Sequence, residues 1–325
     1  MDPLHDALYG ELLRDATEMD REEACRKDPV SLVGDFDTSR PLLSQVSAVV
    51  ATRAHFFGNQ IACLVNAIKF CKQTGIRKLY WPGAPEYLAD TFQVDEVHVM
   101  VGDGTGAHGN ILRASFLYDR SSLKDIVPAC TESFVDICRK MNFRIDRAKT
   151  DAESDSTLHI HIRAGDIFQG TNIRFNYGQP PLIFYTKILS LRHWRRVVVI
   201  SQKGQNPCVK PMIDFIYSKG MDFEFIMPNF LDTLDAILAA NHLVVSRGSF
   251  LLPAMAISRN LRSCYVFEDF YDSYVRCGFS KTEINFRRFR GGEEFRRDNI
   301  INWANRPEQV RKMLTLDESN LSEVD

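Results

Sequence analysis

Residues 158–166 read L-H-I-H-I-R-A-G-D, and this stretch decides the fold. Side chains alternate along a strand, so His159, His161 and Arg163 share one face while Ile160 and Ile162 share the other. The two isoleucines anchor the strand, and the three polar residues are presented. Arg163 stands at the carboxyl end, where ligands of open α/β sheets gather, and Gly165 lets the chain turn sharply there. A guanidinium in that place can fork two phosphate oxygens. Two plainer readings stand beside this one. Arg-x-Gly-Asp is also an ordinary strand exit with a solvated charge. His159 and His161 could belong to a metal site, although no Cys, Asp or Glu at ligand spacing joins them.

Outward from this strand, short β-branched runs alternate with amphipathic stretches, the pattern of a mostly parallel sheet covered by helices. The expected strands are residues 46–50, 78–81, 96–101, 158–162, 196–200, 223–227, 242–246 and 264–267. They fall into two groups, separated at residues 144–157 by R-I-D-R-A-K-T-D-A-E-S-D-S-T, which has no apolar period. The 325 residues suit two domains rather than one. The expectation is an α/β protein of two facing Rossmann-like domains with a cleft between them. Residues 1–45 are expected as a peripheral segment, 46–150 as the first domain, and 151–325 as the second, with a C-terminal helical extension. The first thirty residues and the last ten are charge-rich and read as peripheral helices or frayed ends.

Composition removes several function classes. With 45% hydrophobic residues, 25% charged and a formal net charge of -2, the chain carries no global field for nucleic acid or anionic membrane. Residues 287–297, R-R-F-R-G-G-E-E-F-R-R, form a basic-aromatic patch that reads as a solvated face, a lid or an acceptor contact. No apolar run approaches the roughly 20 residues of a membrane span. The start has neither the basic end nor the apolar run of a signal peptide, so a soluble, cytoplasmic protein is expected, or a lumenal or secreted one if the N-terminus was trimmed. The eight cysteines lack a C-x-x-C pair and read as reduced, mostly buried thiols, with disulfides of a secreted protein as the other reading.

Two further constellations suit anions. In A-H-F-F-G-N-Q-I (54–61), a Gly-Asn-Gln turn opens a helix whose buried stripe is Ile61, Leu64, Ile68 and Cys71 and which ends at Gly75. Gly58 and Asn59 then lie at a helix N-terminus, with Asn59 either an anion contact or simply the N-cap. Residues 230–258 read as helix, strand, turn and helix. The turn S-R-G-S-F brings Ser249 and the amides of Ser249 and Phe250 to another helix start, with Arg247 adding charge or capping a carbonyl. Asp232 reads as a helix N-cap, or as a carboxylate accepting from a guanine edge.

Taken in order, these three segments resemble the fucosyltransferase superfamily that includes the α1,2-, α1,6- and protein O-fucosyltransferases. H-F-F-G-N-Q is similar to its G-x-G-N-Q-type segment, His161 to Asp166 to its H-x-R-R-x-D-type motif, and Gly248-Ser249-Phe250 to its late S-S-F turn. The resemblance implies a GT-B fold and inverting, metal-free transfer of fucose from GDP-fucose to a glycan or glycoprotein hydroxyl, with no separate cofactor. It implies that Arg163 clamps the β-phosphate and that His161 lies near the guanine or ribose. Asn59 would reach the fucose and phosphate region, and Ser249 with Phe250 would hold the phosphates. Asp232 would read the guanine, and Asp166 would orient Arg163 or act as a base. The chain departs from the pattern at Ala164, where the second arginine is missing; protein O-fucosyltransferases also carry an apolar residue there.

Residues 168–185 are rich in aromatic and amide groups and read as an acceptor loop, with Tyr177 and Gln179 as candidate contacts, or as a solvent loop before the next helix. Asp35-Phe36-Asp37 is a D-x-D but precedes the first strand group rather than ending a strand, which argues against a Mn²⁺-dependent GT-A enzyme. Two alternatives remain open: the same fold using another nucleotide sugar, and an inactive homologue that binds a nucleotide or glycan.

Overall fold

The computed structural model describes residues 30–52, 57–82, 86–102, 104–116, 132–145, 154–168, 177–201, 206–227, 229–280 and 282–324. The chain divides into two compact units, Met1–Ile145 and Asp146–Asp325. Each is an α/β layer structure with a mixed, mostly parallel sheet.

In the first unit the strands are β1 (Ser31–Val33), β2 (Ala48–Ala51), β3 (Lys78–Trp81), β4 (Thr91–Val94), β5 (Val97–Val101) and β6 (Ile111–Ala114). Their order is β1-β6-β2-β3-β5-β4, with a parallel centre and antiparallel β1 and β4 at the edges. Helix α1 (Phe57–Thr74) covers this sheet. It buries the expected Ile61, Leu64, Ile68 and Cys71 and also Cys63, Val65, Ala67 and Phe70, a stripe wider than the four-residue period suggests. Helix α2 (Phe134–Lys140) starts in a capping box. The Ser133 hydroxyl accepts from Asp136 N–H (3.1 Å), and the Asp136 carboxylate accepts in return from Ser133 N–H (3.2 Å).

The second unit carries β7 (Thr157–Ile162), α3 (Leu182–Ser190), β8 (Arg196–Ser201), α4 (Val209–Ser218) and β9 (Asp222–Ile226). There follow α5 (Phe230–Ala239), β10 (His242–Val245), α6 (Leu251–Ile257), β11 (Ser263–Phe267), α7 (Glu268–Arg276), β12 (Asn285–Gly291), α8 (Pro307–Thr315) and β13 (Leu321–Val324). Sheet order is β13-β12-β11-β10-β7-β8-β9, parallel throughout except for β13. Counted from β7, the six parallel strands run 3-2-1-4-5-6, the order of a dinucleotide-binding sheet. The direction of winding therefore reverses between β7 and β10, the place beyond whose carboxyl ends sheets of this order hold their ligands. Phe184 of α3 packs edge-on against Phe267 and Phe289 (centroids 5.8 and 5.6 Å), which joins the helical layer to β11 and β12.

The eight expected strands form, with ends shifted by one or two residues. Five others were not foreseen. β1, β4 and β6 are three or four residues long, too short to show a period. β12 runs through the patch read as a solvated face. Its Phe289 is fully buried and its arginines find carboxylates: Arg287 meets Glu323, while Arg290 meets Glu268. The C-terminus is neither frayed nor only helical, because β13 pairs antiparallel with β12 and closes that edge of the sheet.

Candidate functional site

The site is built at the reversal between β7 and β10. Strand β7 ends at Ile162, and Gly165 adopts the left-handed φ of +78° that turns the chain away at once, as expected. Between them the Arg163 peptide is held from both sides. Its N–H donates to Ser246 Oγ (2.9 Å) at the end of β10, and its carbonyl accepts from Asn206 Nδ2 (2.9 Å) beyond β8. Asn206 is itself fixed, its side-chain oxygen accepting from Cys208 N–H (2.9 Å). The turn after Arg163 is tied down by the C-terminal segment, where Trp303 Nε1 donates to Ile167 O and Asn305 Nδ2 to Phe168 O (both 3.0 Å).

Ser246 is fully buried and also lies 2.9 Å from His161 Nδ1. Burial, with the Arg163 charge second, lowers the His161 pKa to about 4, so the ring is neutral at pH 7. The ring stacks parallel to Phe250 (5° between planes, centroids 6.3 Å), and Phe250 meets Phe230 edge-on. The Arg163 guanidinium passes over Gly248; a Cβ there would touch Nη1 at 3.6 Å. On the same turn, Arg247 lies under the rings of Tyr177 (5.3 Å) and Phe270 (5.6 Å), and burial lowers its pKa below the ordinary arginine value.

His161, Arg163, Ser249 and Phe250 thus fall on the segments that meet at the reversal, with Ser249 and Phe250 half-exposed in the turn before α6. His159 is not presented as expected: it is 2% exposed, and burial lowers its pKa to about 4. Register explains this, since His159 pairs with Val198 and Leu243 inside the sheet, whereas His161 and Arg163 lie toward its end. Asp166 belongs to the short 3-10 turn Gly165–Ile167, and its side chain lies outside the described residues.

Asp232 is not the N-cap of α5. Asn229 is: its side chain accepts from Asp232 N–H (2.8 Å), and its amide donates to the Asp232 carboxylate. Gln179 is fully buried, its amide donating to Tyr177 O (3.1 Å), so it is no surface contact for an acceptor. The strap it belongs to packs tightly, and a Cβ on Gly178 would come within 1.8 Å of Asn299 O. Tyr177 remains half-buried over Arg247; residues 169–176 of the expected acceptor loop lie outside the described residues.

In the first unit, Gly58 and Asn59 sit within the first turn of α1 rather than in a turn before it, so Asn59 is not an N-cap. Phe57 draws the helix start earlier by packing edge-on against Tyr87 (4.9 Å). Asp37 of the D-x-D is engaged locally, accepting from Ser39 N–H (2.9 Å) and hydroxyl (2.6 Å), which lowers its pKa. Among the described residues no three His, Cys, Asp or Glu side chains group as metal ligands, and no helix is long and apolar enough to cross a membrane. Cys63, Cys71, Cys138, Cys208 and Cys264 are buried, and Cys277 is half-buried.

Asn206, Ser246, Trp303 and Asn305 escaped the sequence reading. Ser246 was counted as the last residue of a strand; the others carry no motif, and only the topology brings them to Arg163.

No protein-family model and no curated protein matches the chain. Among the solved structures that resemble it are two fucosyltransferase structures with GDP. One is a crystal structure of POFUT1 in complex with GDP, with 10% identity, 68% of this chain and 97% of that one covered, and a TM-score of 0.45. The other is an arginine-to-lysine mutant of Arabidopsis thaliana FUT1 in complex with GDP, with 10% identity, 80% and 77% covered, and a TM-score of 0.40. At that level of likeness neither assigns a role to any residue here.

Proposed function

We propose that the second unit binds a nucleotide sugar at the β7–β10 reversal, and that the protein is a metal-independent, inverting glycosyltransferase using GDP-fucose. The observation that carries the reading is Arg163, whose peptide is clamped by Ser246 and Asn206 at the carboxyl end of β7, beside the reversal. Binding there, a diphosphate would meet a fixed cation that costs no reorganisation when charge develops.

In the reaction an acceptor hydroxyl oxygen attacks the sugar's anomeric carbon from the face opposite the diphosphate. The bond from that carbon to the phosphate oxygen breaks with its electron pair, and GDP leaves. Arg163 stabilises the departing oxygens. The hydroxyl proton passes to a carboxylate or to the leaving phosphate, with Asp166 as the candidate that the motif supplies. Neutral His161, packed on Phe250, offers an uncharged polar edge to the nucleoside. Ser249 and Phe250 offer the phosphates a hydroxyl and two amides. Tyr177 and Asp232 are proposed for the acceptor and the guanine.

The test is release of GDP from GDP-fucose in EDTA, with and without glycan and glycopeptide acceptors, in wild type and Arg163→Ala. Turnover that survives chelation and falls on Arg163→Ala supports the reading. Turnover of another nucleotide sugar in preference would keep the enzyme class and change the donor. Binding without turnover of any donor would favour the inactive homologue, a reading that Ala164 supports, because an apolar residue that is 5% exposed holds the position of the second arginine.

A further inference from the structure

We propose that Arg247 is the second cation of the anion site begun by Arg163, and that it takes the second phosphate of a diphosphate ligand. This rests on reading the β7–β10 reversal as a nucleotide site. Ala164 cannot be replaced by a charge cheaply, since its side chain is buried. The neighbouring strand supplies one instead. β10 pairs with β7 as Leu243 with His159 and Val244 with Ile160, and Arg247 follows β10 in the turn whose Ser246 and Gly248 both touch Arg163. Two guanidinium forks on neighbouring segments can each take a phosphate of one ligand.

The residues flanking Arg247 both serve Arg163. Ser246 accepts from its N–H (2.9 Å), and Gly248 lies beneath its guanidinium. Arg247 itself is largely withdrawn from water, yet it is held by ring faces rather than by a carboxylate. Rings steady the plane of a guanidinium and leave its N–H edge for an acceptor. Among the described residues the carboxylate that acts on it is Asp269, beyond ion-pair range and already gripped by Arg296 (2.9 Å). An anion at the reversal would complete the arrangement.

The full chain is titrated in EDTA with phosphate, pyrophosphate, GMP and GDP, in wild type, Arg247→Met, Arg247→Lys and Arg163→Ala. Wild type should prefer pyrophosphate to phosphate and GDP to GMP. Arg247→Met should weaken the two diphosphate ligands roughly ten- to hundredfold while leaving GMP unchanged, and Arg247→Lys should recover part of the loss. Diphosphate binding at wild-type strength in Arg247→Met would overturn the proposal, as would equal weakening of GMP and GDP with an unchanged melting temperature. Pyrophosphate binding that depends on Arg247 while both nucleotides fail to bind would sustain the paired cations and sink the nucleotide reading. GDP binding indifferent to Arg247 would do the reverse, and a wild type that binds none of the four would remove both.

Discussion

Ser246 is the residue on which the site turns, because one buried hydroxyl serves both the Arg163 N–H and the His161 ring. Removing it leaves a buried donor unsatisfied, which costs on the order of 1–3 kcal/mol. Ser246→Ala should therefore lower the unfolding free energy measured in urea by that amount and weaken GDP binding, whereas Ser246→Thr, which keeps the oxygen, should recover part of both. The histidines give a second expectation. His159 and His161 both titrate near 4 when folded, below the ordinary 6.5, so the unfolded chain binds more protons between those values. Their contribution to stability is complete above pH 6.5, and it is lost as pH falls toward 4. Denaturant titrations across that window should show stability rising with pH. His159→Gln or His161→Gln should each take about one proton from the slope; an unchanged slope in both would contradict the burial assigned to them.

Elements explain which parts of the fold could be read in advance. β7, β8 and β10 are rich in Val, Ile and Leu and β11 in aromatic and β-branched residues, enough to show themselves, and they include the two strands that frame the site. The arginine-rich β12 was misread because its pattern, N-F-R-R-F-R-G, looks solvated until its carboxylate partners are placed beside it. Phe289→Ala should accordingly cost about 3–5 kcal/mol as a core truncation, measured by chemical denaturation; a loss of a few tenths would restore the surface reading. Asp232 was misplaced for a related reason. Either Asn229 or Asp232 can cap a helix, and only the geometry shows Asn229 in that place. Asn229→Ala should cost about 1 kcal/mol of stability, measured by chemical denaturation. Arg163 was legible from the strand that ends in it, but its supports were not, since they lie 43 and 83 residues away along the chain.

At the scale of the molecule, each unit owns a sheet, and the proposed anion site belongs wholly to the second. Nothing in the site draws on net charge, which is only -2, so binding must come from local cations at one sheet edge. GDP should accordingly slow hydrogen exchange in residues 161–168 and 246–251, at the ends of β7 and β10, and leave the sheet of the first unit at its free rate. Protection confined to the first unit would place the site elsewhere.

The most direct measurement is isothermal titration of GDP, UDP and ADP in EDTA, on wild type and on Arg163→Ala. The account predicts guanine-selective binding that survives chelation and is lost with the Arg163 guanidinium. Equal binding of all three nucleotides, no binding at all, or GDP binding untouched by Arg163→Ala would contradict it.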